Sequence, residues 1–176
     1  MNRIFFALVF LFIFPLVSMA QKGSNFLQVS GQAAIPTGAI SDVVKTGFGG
    51  AVKGIYGFSR NPQYLTLEAG YNRFAAKNMP AGASAHYSAL PIYLGYRANL
   101  SGVVLESQGG VSFNRIAGSG PGGSASANQT AFGWAISAGY TFKDLELAVR
   151  YQSSEGNNDV QIIRFIGIRL GYNFGL

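Results

Sequence analysis

Apolar and polar residues alternate along most of this chain with a period of two residues. The clearest stretch is the last one, where alternate positions are Ile166, Ile168, Leu170, Tyr172 and Phe174. The residues between them are small or polar. A two-residue period places the two sets on opposite faces of a β-strand. We therefore predict a strand that has lipid on its apolar face and a packed polar lumen on the other.

The same alternation predicts seven earlier strands. They are Phe26 to Ile35, Phe48 to Phe58, Tyr64 to Phe74, Leu90 to Leu100, Val103 to Phe113, Phe132 to Phe142 and Leu145 to Tyr151. The predicted connections are long at 36–47, 75–87 and 117–131, short at 59–63, 101–102 and 143–144, and intermediate at 153–159. Bacterial outer-membrane barrels have an even number of strands, short periplasmic turns and longer external loops. The pattern therefore predicts an all-β protein that forms an eight-stranded antiparallel up-and-down transmembrane β-barrel. The last strand is expected to pair with the first, which removes the open edge.

Composition favours a membrane barrel over a soluble one. Charged residues make up 11% of the 176 residues and the mean hydropathy is +0.22, whereas soluble domains carry about 25% charged residues. A soluble barrel of the lipocalin type would show the same period with inverted polarity. Its water-facing side would need many charges, but the polar face here consists mainly of Gly, Ser, Asn and Gln.

The first twenty residues predict a cleaved secretory signal peptide. Arg3 supplies a positive start, Ile4 to Val17 is apolar, and Ser18-Met19-Ala20 offers small residues to a signal peptidase. Cleavage after Ala20 would leave residues 21–176 as one barrel domain. The alternative is a retained N-terminal anchor helix, for which the segment is short.

Aromatic residues recur at the ends of the even-numbered strands, which would all run towards the periplasm. We expect these rings to form a periplasmic aromatic girdle: Tyr56, Phe58, Tyr96, Tyr140, Phe142, Tyr172 and Phe174. A second set would form the outer girdle: Phe48, Tyr71, Phe113, Phe132, Trp134 and Tyr151.

Six charged residues fall on the predicted inner face of the strands. They are Lys53, Glu68, Arg97, Glu106, Arg150 and Arg169. Unpaired charges are costly there, so we expect a lumen network in which Glu68 and Glu106 flank Arg97. An eight-stranded barrel is only wide enough for its own side chains, which favours a structural plug. A narrow or gated pore is the alternative.

Two other regions could carry a function. His86 and Ser88, around Tyr87, form a possible acyl-transfer pair, since some outer-membrane lipid deacylases use a Ser-His-acid site. The residue after Ser88 is Ala89 rather than the Asn usual in one deacylase family, and a solvated loop histidine is the favoured interpretation. The Gly118–Asn128 segment and the 75–87 loop could bind a partner. They contain few charged residues and almost no aromatic anchors, however, and this scarcity favours a shielding role.

The remaining composition excludes several classes of site. There is no cysteine, and the net charge of +6 comes from scattered residues rather than a basic run, so neither a disulfide framework nor nucleic-acid binding is expected. No phosphate loop, metal cluster or nucleotide motif is present, and we expect no cofactor. Attraction to anionic lipid headgroups is the better interpretation of the charge.

Several motifs together resemble the small outer-membrane β-barrel proteins common in Bacteroidota. They are the signal sequence, Ile35-Pro36-Thr37-Gly38, Gly47-Phe48-Gly49-Gly50, Leu90-Pro91-Ile92-Tyr93-Leu94-Gly95-Tyr96-Arg97 and the terminal Gly171-Tyr172-Asn173-Phe174. The resemblance implies an architecture similar to the OmpA transmembrane domain and OmpX, location in the outer membrane, and recognition of the terminal strand by the barrel-assembly machinery. The chain departs from the pattern by ending on Phe174-Gly175-Leu176.

We therefore expect a monomeric barrel surrounded by outer-membrane lipids, with a plugged lumen, a structural or surface-interaction role and no enzymatic activity. A narrow ion or small-solute pore is the first alternative, and a lipid A or phospholipid deacylase the second.

Overall fold

The computed structural model describes residues 25–58, 62–155 and 163–176. The strands are β1 (Asn25–Thr37), β2 (Gly47–Gly57), β3 (Gln63–Ala75), β4 (Ser84–Leu100), β5 (Val103–Gly120), β6 (Gly123–Phe142), β7 (Leu145–Ser154) and β8 (Ile163–Gly175). A short 3-10 helix, Gly38–Asp42, follows β1. The predicted signal peptide lies outside the described residues. Within those residues, we find no helix with the length and apolar character needed to span a membrane.

The strands form a closed antiparallel barrel in sequence order. Each strand pairs with the next, and β1 also pairs with β8 from Phe26 opposite Gly175 to Thr37 opposite Arg164. Closure leaves no open sheet edge within the bilayer, as a membrane barrel requires. The predicted eight-stranded up-and-down barrel is confirmed.

The barrel wall is apolar outside and polar inside. Leu94, Leu147 and Leu170 face outward and are 57–62% exposed, whereas inward-facing Gln28 and Arg150 are almost completely buried. So large an exposed apolar surface marks contact with lipid. This polarity is opposite to that of a soluble barrel.

The aromatic residues of the predicted girdles lie at the two ends of this apolar wall. In the lower set, Tyr56, Phe142 and Phe174 are all at least 47% exposed. On β6, Tyr140 lies eight positions after Phe132, a rise of about 27 Å along the strand. A strand tilt of about 40° reduces this to about 21 Å along the membrane normal, close to the apolar band of about 25 Å in outer-membrane barrels.

The hairpin of β5 and β6 extends far beyond the outer aromatic residues. The predicted loop at 117–131 is wrong, because the two strands stay paired from Phe113 opposite Thr130 up to Gly120 opposite Gly123. Gly and Ser/Ala-rich segments pair through the backbone as other residues do, but above the membrane neither sheet face needs alternating apolar side chains. The loop predicted at 75–87 is also shorter, since β4 begins at Ser84.

Two short connections lie where the sequence predicted them. Residues 101–102 and 143–144 join β4 to β5 and β6 to β7, with positive φ angles at Ser101, Gly102 and Lys143. The long connection after β1 contains the 3-10 helix. The connections predicted at 59–63 and 153–159 fall partly outside the described residues.

Gly95 provides space for large side chains in the lumen. A Cβ atom at this inward position would lie 2.6 Å from Gln108 Cγ and Thr66 Oγ1, and 2.7 Å from the Ser107 carbonyl oxygen. Gly54 instead faces outward, and its nearest contact would be the Leu67 carbonyl oxygen at 4.0 Å.

We expect Gly95→Ala to lower the free energy of unfolding by about 1–3 kcal/mol, because it overpacks a filled lumen. Urea titration of the barrel in lipid vesicles, followed by the fluorescence of the single tryptophan, Trp134, measures this change. Gly54→Ala is the matched control and should differ from wild type by less than about 0.5 kcal/mol. Equal stability of both variants would show that the lumen has room to spare.

Candidate functional site

The lumen contains a cluster of seven charged side chains, which we call the lumen network. It comprises the six residues singled out from the sequence, Lys53, Glu68, Arg97, Glu106, Arg150 and Arg169, together with Glu146. Each is between 1% and 5% exposed. Strand alternation brings them to one interior, because every one occupies an inward position of its strand.

Glu68 on β3 is the centre of the lumen network. Its carboxylate accepts from Arg169 Nη1 at 2.6 Å, and it lies 3.2 Å from Arg150 Nη2 and 3.3 Å from Lys53 Nζ. Lys53 comes from the neighbouring strand β2, whereas the two arginines reach across the lumen from β7 and β8. One carboxylate thus ties three other strands together.

A second part of the network is built around Glu106 and Glu146. Lys53 Nζ donates to Glu106 at 2.7 Å, and Thr66 Oγ1 donates to the same carboxylate at 2.7 Å. Arg97 contacts Glu106 at 3.7 Å and forms a two-point contact with Glu146 on the far side of the lumen. Such bidentate pairs are the stronger form of charge-assisted hydrogen bond.

The predicted contact between Glu68 and Arg97 is wrong. In the β3–β4 register, Arg97 lies opposite Tyr64, while Glu68 lies opposite Tyr93. The four-residue offset corresponds to about 13 Å along the strands, so Glu68 contacts other cations. Arg97 instead pairs with Glu146. The sequence signal for Glu146 was its position on β7, four residues before Arg150 and on the same inward face.

Neutral amides extend the network and connect it across the seam between β1 and β8. Gln28 Nε2 donates to Asn173 Oδ1 at 2.9 Å, and Arg169 Nε donates to Gln32 Oε1 at 3.1 Å. Gln108 accepts a hydrogen bond from Arg150. Buried charges are tolerated only when they are paired and hydrogen-bonded, and these amides supply the additional partners.

The outer end of the lumen is closed by an apolar layer. The rings of Phe74 and Phe165 lie 5.4 Å apart, and Tyr87 lies 6.0 Å from Phe74. Ile40 of the 3-10 helix and Ile163 pack in the same buried cluster. This cap was not among the predicted features, although Phe74 and Phe165 occupy inward positions of their strands.

His86 and Ser88 share the outer face of β4, but they do not form a catalytic arrangement. Within residues 25–58, 62–155 and 163–176, neither side chain makes a hydrogen bond to the other, and His86 has no carboxylate partner. The buried carboxylates of Glu68 and Glu106 point into the lumen. Over the same residues, no group of three or more His, Cys, Asp or Glu side chains could hold a metal ion.

We expect Glu68→Gln to destabilise the barrel by about 3–5 kcal/mol, because it leaves three buried cations without their shared carboxylate. Urea titration in vesicles and the heat-modifiable shift on a detergent gel both report folding. Asp42→Asn removes an exposed carboxylate from the 3-10 helix and should leave stability unchanged. A wild-type-like Glu68→Gln protein would mean that the surrounding amides and residual water satisfy the cations by themselves.

Solved structures with the same fold come from several bacterial surface proteins. The attachment invasion locus protein Ail of Yersinia pestis, determined in complex with the heparin analogue sucrose octasulfate, is 14% identical, with a TM-score of 0.64 over 88% of this chain and 100% of that chain. The N-terminal barrel domain of Pseudomonas aeruginosa OprF is 13% identical, with a TM-score of 0.61 over 87% and 100%. Neisserial surface protein A is 17% identical, with a TM-score of 0.58 over 88% and 98%. At these identities the likeness concerns the fold.

Sequence comparison identifies the family. No curated protein sequence matches this chain. The model of the outer membrane protein beta-barrel domain, however, matches residues 6–174, and the closed barrel with an apolar wall agrees with it. The chain therefore belongs to the outer membrane protein beta-barrel domain family, and its place is the bacterial outer membrane.

Proposed function

We propose that this protein is a non-conducting outer-membrane barrel that binds extended segments of other proteins at the cell surface. In this proposal residues 1–20 direct export and are removed after Ala20, and the barrel-assembly machinery recognises the terminal strand. The barrel works as a monomer among outer-membrane lipids, without nucleic acid or a cofactor. Its source in the Bacteroidota is part of the same proposal.

The binding element is the projecting sheet, defined as Ser84–Ser88 of β4, Asn114–Gly120 of β5 and Gly123–Thr130 of β6. From Phe113 in the outer girdle, β5 continues seven residues to Gly120, a rise of about 23 Å along the strand. This length is more than is needed to close the barrel, because the lumen is already capped at the level of Phe74 and Phe165.

The observation that carries the proposal is the lateral edge of β6. Pairing with β7 begins at Gly133 opposite Ser154, and no described strand pairs with the Gly123–Ala131 part of β6 on that side. Among the residues that the structure describes, the upper part of β6 therefore has an unpaired edge.

This edge lacks the features that usually protect exposed strands. Natural edge strands carry charges, proline or bulges that prevent pairing with other chains. The segment from Gly123 to Ala131 has no charged residue and no proline, and its register with β5 continues without a bulge. An open, regular edge is suited to strand addition, in which an extended peptide gains affinity from main-chain hydrogen bonds.

The direction of the backbone identifies which residues would pair with a peptide. Glu155 N–H donates to the Phe132 carbonyl at 2.8 Å, so the backbone groups of Phe132 point away from β5. Because successive residues alternate in direction, those of Ser126 also point to the open side. Proline at Ser126 would remove an edge donor without breaking the β5–β6 ladder.

We expect peptides selected by phage display on the folded barrel to bind the projecting sheet, and Ser126→Pro to weaken them about tenfold or more. The matched Ser126→Ala protein keeps the backbone N–H and should bind as wild type does. Affinities can be measured by fluorescence anisotropy of the labelled peptides, with the heat-modifiable gel shift as the folding control. Failure to enrich any peptide, or equal losses in both variants, would contradict strand addition.

The closed lumen argues against the pore alternative. The lumen network and the apolar cap are two successive barriers, and each is made of side chains buried in the interior. We expect no current steps from wild-type protein in planar bilayers, and none from Phe74→Ala, because the network still blocks the lumen when the cap is opened. Regular steps from the wild type would overturn the non-conducting assignment.

We also infer that the protein is not an enzyme. The absence of an acid beside His86 within the described residues leaves Ser88 without the relay that activates a serine nucleophile. Hydrolysis of lipid A or phospholipid by wild-type protein that is lost in Ser88→Ala would contradict this.

A further inference from the structure

A row of polar residues crosses the outer face of the wall just above the lipid-facing surface. The strand register places Arg73 opposite Ser88, Ser88 opposite Arg115, and Arg115 opposite Asn128. All four occupy outward positions of their strands. Since neighbouring strands lie about 4.8 Å apart, the two arginine backbones are separated by roughly 10 Å.

This row lies at the level of lipid headgroups. Tyr71 and Phe113, two residues below the arginines on the same strands, face outward and are 48% and 47% exposed. Two residues correspond to about 7 Å along a strand. The arginines thus begin where the apolar wall ends, as groups that contact the polar part of a bilayer do.

The row has cations but no acidic partner. Among the described residues, neither Arg73 nor Arg115 takes part in an ion pair. Arg115 makes one long hydrogen bond, 3.4 Å from Nη2 to Ser126 Oγ. Elsewhere in the molecule, buried arginines are matched to carboxylates; these two are left available on the outer wall.

Ser88 adds a hydroxyl group between the two cations. It lies opposite Arg73 on one side and Arg115 on the other, and its position on β4 faces outward. A hydroxyl group can donate one hydrogen bond, so an anion held between the arginines can also accept from Ser88.

We propose that Arg73, Ser88 and Arg115 bind a phosphate group of a phosphorylated glycolipid in the outer leaflet. Guanidinium groups bind phosphate oxygens through two parallel hydrogen bonds, and the Ser88 hydroxyl donates a further one. The acyl chains lie against the apolar wall at Tyr71 and Phe113, and the phosphate occupies the row above.

A hydroxyl-lined hollow above the row accommodates the sugar. This cavity of about 250 Å³ is lined by Ser84, His86, Arg115, Ser119, Ser124 and Ser126, among others. Hydroxyl and imidazole groups suit hydrogen bonding to a sugar, and a free phosphate ion would leave this space and the apolar wall below unused. A lipid-borne phosphate therefore fits the site better than a free phosphate ion, because the sugar can fill the hollow above the row and the acyl chains can contact the apolar wall below it.

The test uses the full barrel in phosphatidylcholine nanodiscs that contain diphosphorylated lipid A. Native mass spectrometry after release into detergent counts the lipid A molecules retained by each barrel. We expect Arg73→Gln and Arg115→Gln each to lower retention about tenfold, the loss expected for one charge-assisted contact, and Arg73→Lys to lower it less, because the charge stays while the fork is lost. Arg164→Gln removes an exposed outward cation from β8 and is the matched control.

The other arms separate this site from general attraction and from free phosphate. Retention of dephosphorylated lipid A at the same level would overturn the assignment of phosphate as the recognised group. Full displacement of the lipid by inorganic phosphate would overturn the glycolipid as the ligand. An equal loss in Arg164→Gln would show diffuse attraction and overturn the row as a site. The peptide-binding proposal uses the edge of β6 and stands or falls separately.

Discussion

The carboxylate of Glu68 is the contact on which the interior of this barrel depends. It gathers Lys53, Arg150 and Arg169 from three other strands, in a place where a lone cation would be prohibitively expensive. The main-chain ladder fixes which strands are neighbours, whereas this contact acts across the barrel and fixes the opposite walls. Lys53 then extends the same set of charges to Glu106, so that the polar filling behaves as one connected body.

The barrel has its charges inside and its leucines outside, the reverse of a soluble protein. The bilayer favours this arrangement because lipid surrounds the outer wall. The outer wall obtains its stabilisation from lipid, and the interior can therefore be polar without exposing the protein to aggregation. The same division explains the projecting sheet. Beyond the outer aromatic residues the sheet leaves the hydrocarbon layer, so its sequence needs no apolar alternation, and other molecules can recognise it through its backbone and its polar side chains.

Much of the fold could be predicted from the sequence, because within the membrane one face of each strand always contacts lipid and the other always contacts the polar lumen. The alternation of Ile166 to Phe174 is sufficient to orient β8, and similar patterns identify the other strands. Prediction from alternation fails outside the membrane. The Gly118–Asn128 segment resembles a loop in the sequence, because strands that pair only through the backbone leave no side-chain pattern. Partners within the lumen were also beyond reach, since Arg97 meets Glu146 through the barrel's stagger and diameter, which strand periodicity does not encode.

The seam between β1 and β8 has a consequence for the order of assembly. Besides the backbone ladder, it is joined by Gln28 with Asn173 and by Gln32 with Arg169, and Arg169 also reaches Glu68. Until the last strand arrives, Glu68 lacks one of its cations, Gln28 lacks Asn173 and Gln32 lacks Arg169, so a water-filled interior is favoured. Pairing of β8 with β1 therefore closes the sheet and expels water from the lumen in the same late step. Before that step, burial of the polar side chains would not stabilise the partly formed barrel.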